Sequence, residues 1–314
     1  MPNHPRVETA DYTNFVTTRT RNSELWFVNN QKLEHEVLGS FAKCLDRYKA
    51  DVFAISLEGS HIHHESNFPK LNRADFMRDF NSAVTRAVKR HVPKYPGGGL
   101  WQRRYSNEFL LTESSVVQKF LYTVLQPVQD GLVEHLEDYP GYNCLHDAAW
   151  GIERKFKVVR WAEYNAARRW NKELKIEDFT DTVKLRFTRL PGFEHLSQED
   201  YAKTVFAMVE QERQRIVAAR KAAGKGFMGR KGLLAVIPGT PAKSPKLSSF
   251  WDIRPRVISG SARRNKEGYA WYFDLYHRFK AASAQYRAGD LTVEFPPGMY
   301  RPYLRTSIGC VTSS

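Results

Sequence analysis

Along the first 150 residues the apolar positions change period several times. Tyr12 to Thr20 (YTNFVTTRT) is rich in aromatic and β-branched residues and predicts a strand. Leu33, Val37, Leu38, Phe41 and Leu45 recur at helical spacing, which predicts a helix from Leu33 to Tyr48. Asp51 to Leu57 (DVFAISL) is a short apolar run of strand length, broken by Glu58-Gly59-Ser60, after which His61-Ile62-His63-His64 extends or restarts a strand. A second helix is expected over Arg73 to His91. Pro93 to Gly99 ends it, and Leu100 to Leu111 alternates as a further strand. Ser114 or Ser115 would cap a helix over Ser115 to Leu125, with Pro127 kinking or ending it. This order predicts an α+β fold, a ferredoxin-like sandwich with helices on one face of a largely antiparallel sheet.

Beyond Trp150 the pattern changes. Gly151 to Lys175 is basic and helix-prone, and Tyr201, Val205, Met208, Val209 and Ile216 mark a helix over Gln198 to Ala222. A Gly/Lys/Arg run, Gly224 to Gly232, follows. Ile237 to Lys246, with three prolines, reads as a linker, and a helix (Tyr269 to Arg287) and a strand (Leu291 to Phe295) close the chain.

Charge sharpens this division. Residues 1–150 hold 17 Lys and Arg against 18 Asp and Glu, a balance of −1; residues 151–314 hold 31 against 16, a balance of +15. We therefore divide the chain into a nearly neutral domain, 1–150, and a basic, mainly helical C-terminal region, 151–314. An excess confined to one half points to a polyanionic partner, and nucleic acid is the commonest. With no apolar run long enough to span a bilayer and no secretory pattern at Met1 to Arg6, a cytoplasmic location is expected. Three cysteines, Cys44, Cys144 and Cys310, without CxxC spacing, support neither a disulfide framework nor a thiolate zinc site.

Two spacings carry chemistry. On a strand, His61 and His63 point to one side and can converge on a metal while Ile62 faces the core. On a helix, Tyr122 and Gln126 share a face and aim a phenol and an amide oxygen at one place. Each pattern alone is more often a surface pair or a half-buried aromatic beside a solvated amide.

The two patterns fall in an order that resembles the REP-associated branch of the single-tyrosine HUH transposases, over roughly residues 10–150. A His-hydrophobic-His after an apolar strand is matched by Phe53 to Leu57 and His61-Ile62-His63, with Glu58-Gly59-Ser60 replacing the usual Met-Pro-Asn lead-in. A Leu-Trp-Gln-Arg segment is matched by Leu100-Trp101-Gln102-Arg103. The family's catalytic helix, Tyr-Ile-x-x-Asn-Pro-Val-x-x-Gly-Leu-Val, is matched by Tyr122-Thr-Val-Leu-Gln126-Pro127-Val128-Gln-Asp-Gly131-Leu132-Val133, and its Glu-Asp-Tyr-Pro by Glu137 to Pro140. Gln126 stands where this branch often has Asn; either amide offers a carbonyl oxygen to a hard cation.

The resemblance implies a metal-dependent single-stranded DNA endonuclease and strand transferase. Tyr122 would be the nucleophile that forms a 5′-phosphotyrosine intermediate, and His61, His63 and Gln126 would hold Mg2+, with Mn2+ as a substitute. It implies hairpin-forming, palindromic DNA as substrate, no membrane partner, and a monomer or homodimer. Arg19, Arg21, Trp101, Arg103, Arg104 and Lys119 are the candidates for gripping DNA near the chemistry. In the basic half the candidates are Arg213, Arg215, Arg220, Lys221, Lys225, Arg230 and Lys231, then Arg263, Arg264 and Lys266, with Phe227, Trp251 and Tyr269 for stacking. A domesticated, non-cleaving DNA-binding protein of the same fold is the alternative. A metallohydrolase using activated water, or a replication initiator or relaxase, fits the order of motifs less well.

Overall fold

The computed structural model describes residues 5–242 and 256–303. Its first six elements are β1 (Thr13–Arg19), α1 (Gln31–Tyr48), β2 (Asp51–Glu58), β3 (His61–Asn67), α2 (Arg73–His91) and β4 (Ser106–Leu110). They pair antiparallel in the spatial order β2-β3-β1-β4. That is the ferredoxin-like sandwich expected from the pattern, with α1 and α2 side by side on one face. Phe41, Phe76 and Phe80 meet there edge to face, fully buried. Each such side chain contributes roughly 1.5–3 kcal/mol by leaving water.

The opposite face takes α3 (Glu113–Val124), which lies across β2 and β3, and the one-turn α4 (Gln126–Gln129). Thr112, rather than Ser114 or Ser115, caps α3; Ser115 returns the bond to the Thr112 backbone, completing a capping box. After α5 (Leu145–Trp150) the structure departs from the expected helix: β5 (Arg154–Val159) pairs antiparallel with β6 (Thr180–Leu185), and only α6 (Trp161–Arg168) between them is helical. The cause is period-two alternation in Phe156 and Val158, whose side chains lie against α1. There a Cβ on Gly39 would come within 2.8 Å of Val158, so the close approach needs glycine.

The remaining described elements are α7 (Gln198–Ala222), α8 (Gly229–Leu234) and α9 (Ala262–Arg287), with β7 (Arg256–Ile258) adding to β4 in parallel. β4 is shorter than expected, because Trp101 makes only an isolated bridge to Thr20 before the chain bends. Leu291 to Phe295 forms no strand. The proline-rich stretch is irregular through residue 242, tied by Gly239 N–H to the Leu25 carbonyl (3.0 Å), and its remainder lies outside the described residues, as do Trp251 and Cys310. Residue 150 divides the charge but not the core: Phe156, Leu185, Tyr201, Val205 and Val209 belong to the same apolar cluster as Phe15, Val37 and Phe120. Among the described residues no helix is long and apolar enough to cross a membrane.

Candidate active site

β3 sorts its histidines by face. His64 points into the α1/α2 core, where Ser66 Oγ (2.9 Å) and Met77 Sδ (3.2 Å) meet its ring nitrogens. Burial drives its pKa down to about 3, so it is a neutral structural residue. His61 and His63 point the other way, with ring centroids 4.6 Å apart. Ser60 Oγ lies 3.2 Å from Nδ1 of His61, and Thr17 Oγ1, from the neighbouring strand, lies 2.8 Å from Nδ1 of His63. With Nδ1 held by a hydroxyl, Nε2 is the nitrogen on each ring that would bind a cation.

α3 lays Tyr122 over this pair, its ring 5.9 Å from that of His63 and 5.7 Å from that of Phe15, which stacks on His63 at 5.1 Å. The helix breaks at Leu125 and Gln126 opens α4, so the two residues sit on consecutive helices rather than on one. They still come together: the Gln126 side chain is near enough to the phenol to lower its pKa. Gln126 Oε1 is buried with no hydrogen-bond partner, a cost of roughly 1–3 kcal/mol unless a donor or a cation meets it. Two imidazoles and an orphaned amide oxygen on one surface suit a small divalent cation. Among the described residues no three His, Cys, Asp or Glu side chains cluster to hold a metal. Burial raises the Tyr122 pKa and the Asp130 charge adds to it, while Gln126 and Arg19 oppose them.

Four further groups were not singled out from sequence. Glu58, last in β2 and facing His61 across the hairpin, is buried and accepts from Ser56 Oγ (2.7 Å); burial pushes its pKa up to about 7. The Tyr139 hydroxyl reaches Glu58 (3.4 Å) and the Leu57 carbonyl (3.2 Å). Glu65, two residues beyond His63 on the same face, is fully buried with neither carboxyl oxygen hydrogen-bonded, and burial holds its pKa well above the ordinary range. Asp130 acts on Glu58, Tyr122 and Arg19 alike. The period-two count from His61 would have reached Glu65. Glu58 was hidden by reading Glu-Gly-Ser as a polar break.

The basic candidates divide. Lys119 lies 4.9 Å from the Tyr122 ring centre but is paired with Glu108 at 2.7 Å. Arg19 is half-buried, its pKa lowered by burial, and interacts electrostatically with Tyr122 and Arg103. Arg21, Arg103 and Arg104 are exposed. Trp101 is half-buried, packed against Phe27 and donating Nε1–H to the Asn81 carbonyl (3.2 Å), so its ring serves the core. Arg215, Arg220 and Lys225 line a cleft with Tyr122. Arg213 is committed to Glu210 and the Glu134 carbonyl, and Lys221 to Glu134. Arg230 and Lys231 on α8, and Arg263, Arg264 and Lys266 on α9, are exposed and absent from the cleft lining. Phe227 lies under Arg220, 5.1 Å away, and Tyr269 packs in a second core cluster with α9.

Comparison with known proteins relates the N-terminal sheet domain to transposases. Residues 10–120 match the family model for IS200-like transposases. A Haemophilus influenzae protein, whose assignment as a REP-associated tyrosine transposase is itself provisional, is 23% identical over 122 residues, 36% of this chain and 68% of the relative. A solved REP-associated tyrosine transposase bound to a REP hairpin aligns with 46% of this chain and 84% of its own at 19% identity and a TM-score of 0.39. A provisionally assigned transposase from Deinococcus radiodurans R1 aligns with 37% and 92% at 17% identity and a TM-score of 0.29. Over residues 10–120 the N-terminal sheet domain is thus similar to IS200-like transposases, among them a protein described as a REP-associated tyrosine transposase.

Proposed function

We propose that this chain is a DNA transposase that cuts and rejoins single-stranded DNA, with Tyr122 as nucleophile and hairpin-forming sequences as substrate. The observation that carries the reading is the orphaned Gln126 oxygen on one surface with His61, His63 and Tyr122, just beyond a segment that matches transposases. The solved relative bound to a REP hairpin is the reason for naming hairpin DNA.

His61, His63 and Gln126 would hold Mg2+, or Mn2+ in its place. When bound, such an ion withdraws charge from the non-bridging oxygens of the scissile phosphate. The chain's own residues do the rest. Thr17 and Ser60 fix the imidazole rings, and Gln126 orients the phenol while Arg19 opposes the negative charge of Asp130 beside it. The Tyr122 oxygen bonds to phosphorus as the bond to the 3′ oxygen breaks, and the phenol proton ends on that 3′ hydroxyl. The tyrosyl ester conserves the bond, so rejoining is the same exchange in reverse. Because its pKa is raised, the phenol is protonated in the free protein at neutral pH, and its deprotonation belongs to the substrate-bound state.

The test is an SDS-stable adduct with a labelled hairpin oligonucleotide. Wild-type protein forms it in the presence of Mg2+ or Mn2+, and Tyr122→Phe forms none while binding the same DNA. An adduct that persists in Tyr122→Phe, or cleavage indifferent to a chelator, refutes the reading.

A further inference from the structure

Tyr122 borders two surroundings. Toward the sheet it meets Phe15 and His63; away from it, the residue lines a cleft of about 660 Å3 between α3–α4 and α7. The size is that of a ligand site, for which roughly 300–1,000 Å3 is usual. α7 contributes Glu212, Arg215, Ile216 and Ala219, spaced three or four apart so that they share one helical face, and α3 contributes Leu121. The wall formed by Leu121, Ile216 and Ala219 is apolar, while Arg215 and Lys225 bring positive charge.

The cations of this cleft have different duties. Arg220 is a clamp: its Nη1 donates to the Gln129 carbonyl (3.0 Å) and its Nη2 to Gly226 (2.9 Å), fixing the end of α7 to α4. It fits only because residue 131 is glycine, at φ +74°, where a Cβ would collide with the guanidinium. Arg215 is 71% exposed and paired only with its helix neighbour Glu212, a surface contact that a phosphate can displace at little cost. Lys225 is exposed and has no carboxylate partner among the described residues. An apolar wall with two exchangeable cations, reaching the candidate nucleophile, has the chemistry of a single-strand seat, where bases lie on apolar side chains and phosphates on Lys and Arg.

We propose that this cleft binds the single-stranded DNA adjoining the phosphate that Tyr122 attacks, with a base on the Leu121–Ile216 wall and phosphates on Arg215 and Lys225. The inference rests on Tyr122 being the nucleophile, and it makes the basic half part of the same binding site. Cleavage and seating are measured separately, so either can fail alone.

Tyr122→Phe protein, which binds without reacting, is titrated with a fluorescent oligodeoxythymidine of about 20 nucleotides carrying 5-iodouracil, from about 50 to about 300 mM salt. Adding Arg215→Ala and Lys225→Ala should weaken binding about tenfold. The log–log salt slope should become shallower by about 1.4, two phosphate contacts at roughly 0.7 each on single strands. Photo-crosslinks should map to 118–129 and 212–225. Affinity within about twofold of the parent at every salt concentration, or crosslinks confined to α8 or α9, overturns the proposal. So does thymidine monophosphate binding as tightly as the oligonucleotide, since a strand seat gains from linked phosphates. Wild-type protein on hairpin oligonucleotides is scored in parallel for the tyrosyl adduct. Cleft crosslinks without an adduct sink the nuclease reading, and an adduct without cleft crosslinks sinks the seat.

Discussion

The two faces of the central sheet solve opposite problems with the same strands. Toward α1 and α2 the sheet packs against an apolar cluster, and even the buried His64 finds a partner for each ring nitrogen. Toward α3 the sheet buries Glu58, His61, His63, Glu65 and Gln126, and leaves oxygens of Glu65 and Gln126 without hydrogen bonds. A core would not keep such groups, because each unmet oxygen costs free energy. The difference teaches that the sheet concentrates apolar packing on one face and unsatisfied polar groups on the other, and substitutions should separate the two.

The largest effect on folding is expected from the α1/α2 side. Phe76→Ala should lower stability by about 3–5 kcal/mol in denaturant titrations, through lost burial and the cavity left behind. The pH dependence of His64 comes next. Its folded pKa of about 3 lies below the usual 6.5 of histidine, so below pH 6.5 the unfolded chain takes up a proton that the folded chain refuses. Its contribution is fully present above pH 6.5 and is lost as pH falls, by roughly 3 kcal/mol between pH 6.5 and pH 4. Unfolding curves of His64→Leu should lack that part of the slope; an unchanged slope would mean that His64 is not the group responsible.

On the α3 side the readout shifts from folding to metal. Thr17→Val removes the hydroxyl on His63 Nδ1 with little change in shape, and calorimetric titration with Mn2+ should show affinity about 10- to 100-fold weaker at nearly unchanged stability. The smallest effect is expected for Glu65→Gln. Burial shifts the carboxyl toward its neutral form, so the amide should alter stability by no more than about 0.5 kcal/mol. A loss of several kcal/mol would show that Glu65 is ionised and paired.

What sequence could reveal follows from the range of the forces involved. His61, Ile62 and His63 were legible because strand periodicity is local, and Tyr122 with Gln126 because their spacing is helical even across the break at Leu125. The α1 and α2 stripes were legible for the same reason, Arg73 to His91 to the residue. The β5–β6 hairpin was not: Arg154 and Lys155 beside Phe156 look like a basic helix until the α1 surface that buries Phe156 and Val158 is known. The packing of Trp101 was not legible either, because its partners Phe27 and Asn81 are distant in sequence. The role of Glu58 depends on a two-residue turn that brings it opposite His61, which composition alone reads as a break.

The short parallel strand β7 carries a consequence for assembly. It occupies the outer side of β4, and being only three residues long it offers little ladder to another chain. At the far edge, β2 gives its Val52 carbonyl to the Thr188 N–H (2.7 Å) and bridges Asn143 through Ser56. With both borders of the sheet partly covered from within the chain, joining two copies by extending one sheet into the next is disfavoured. The place to look for contacts between copies is therefore on helices rather than on strand edges.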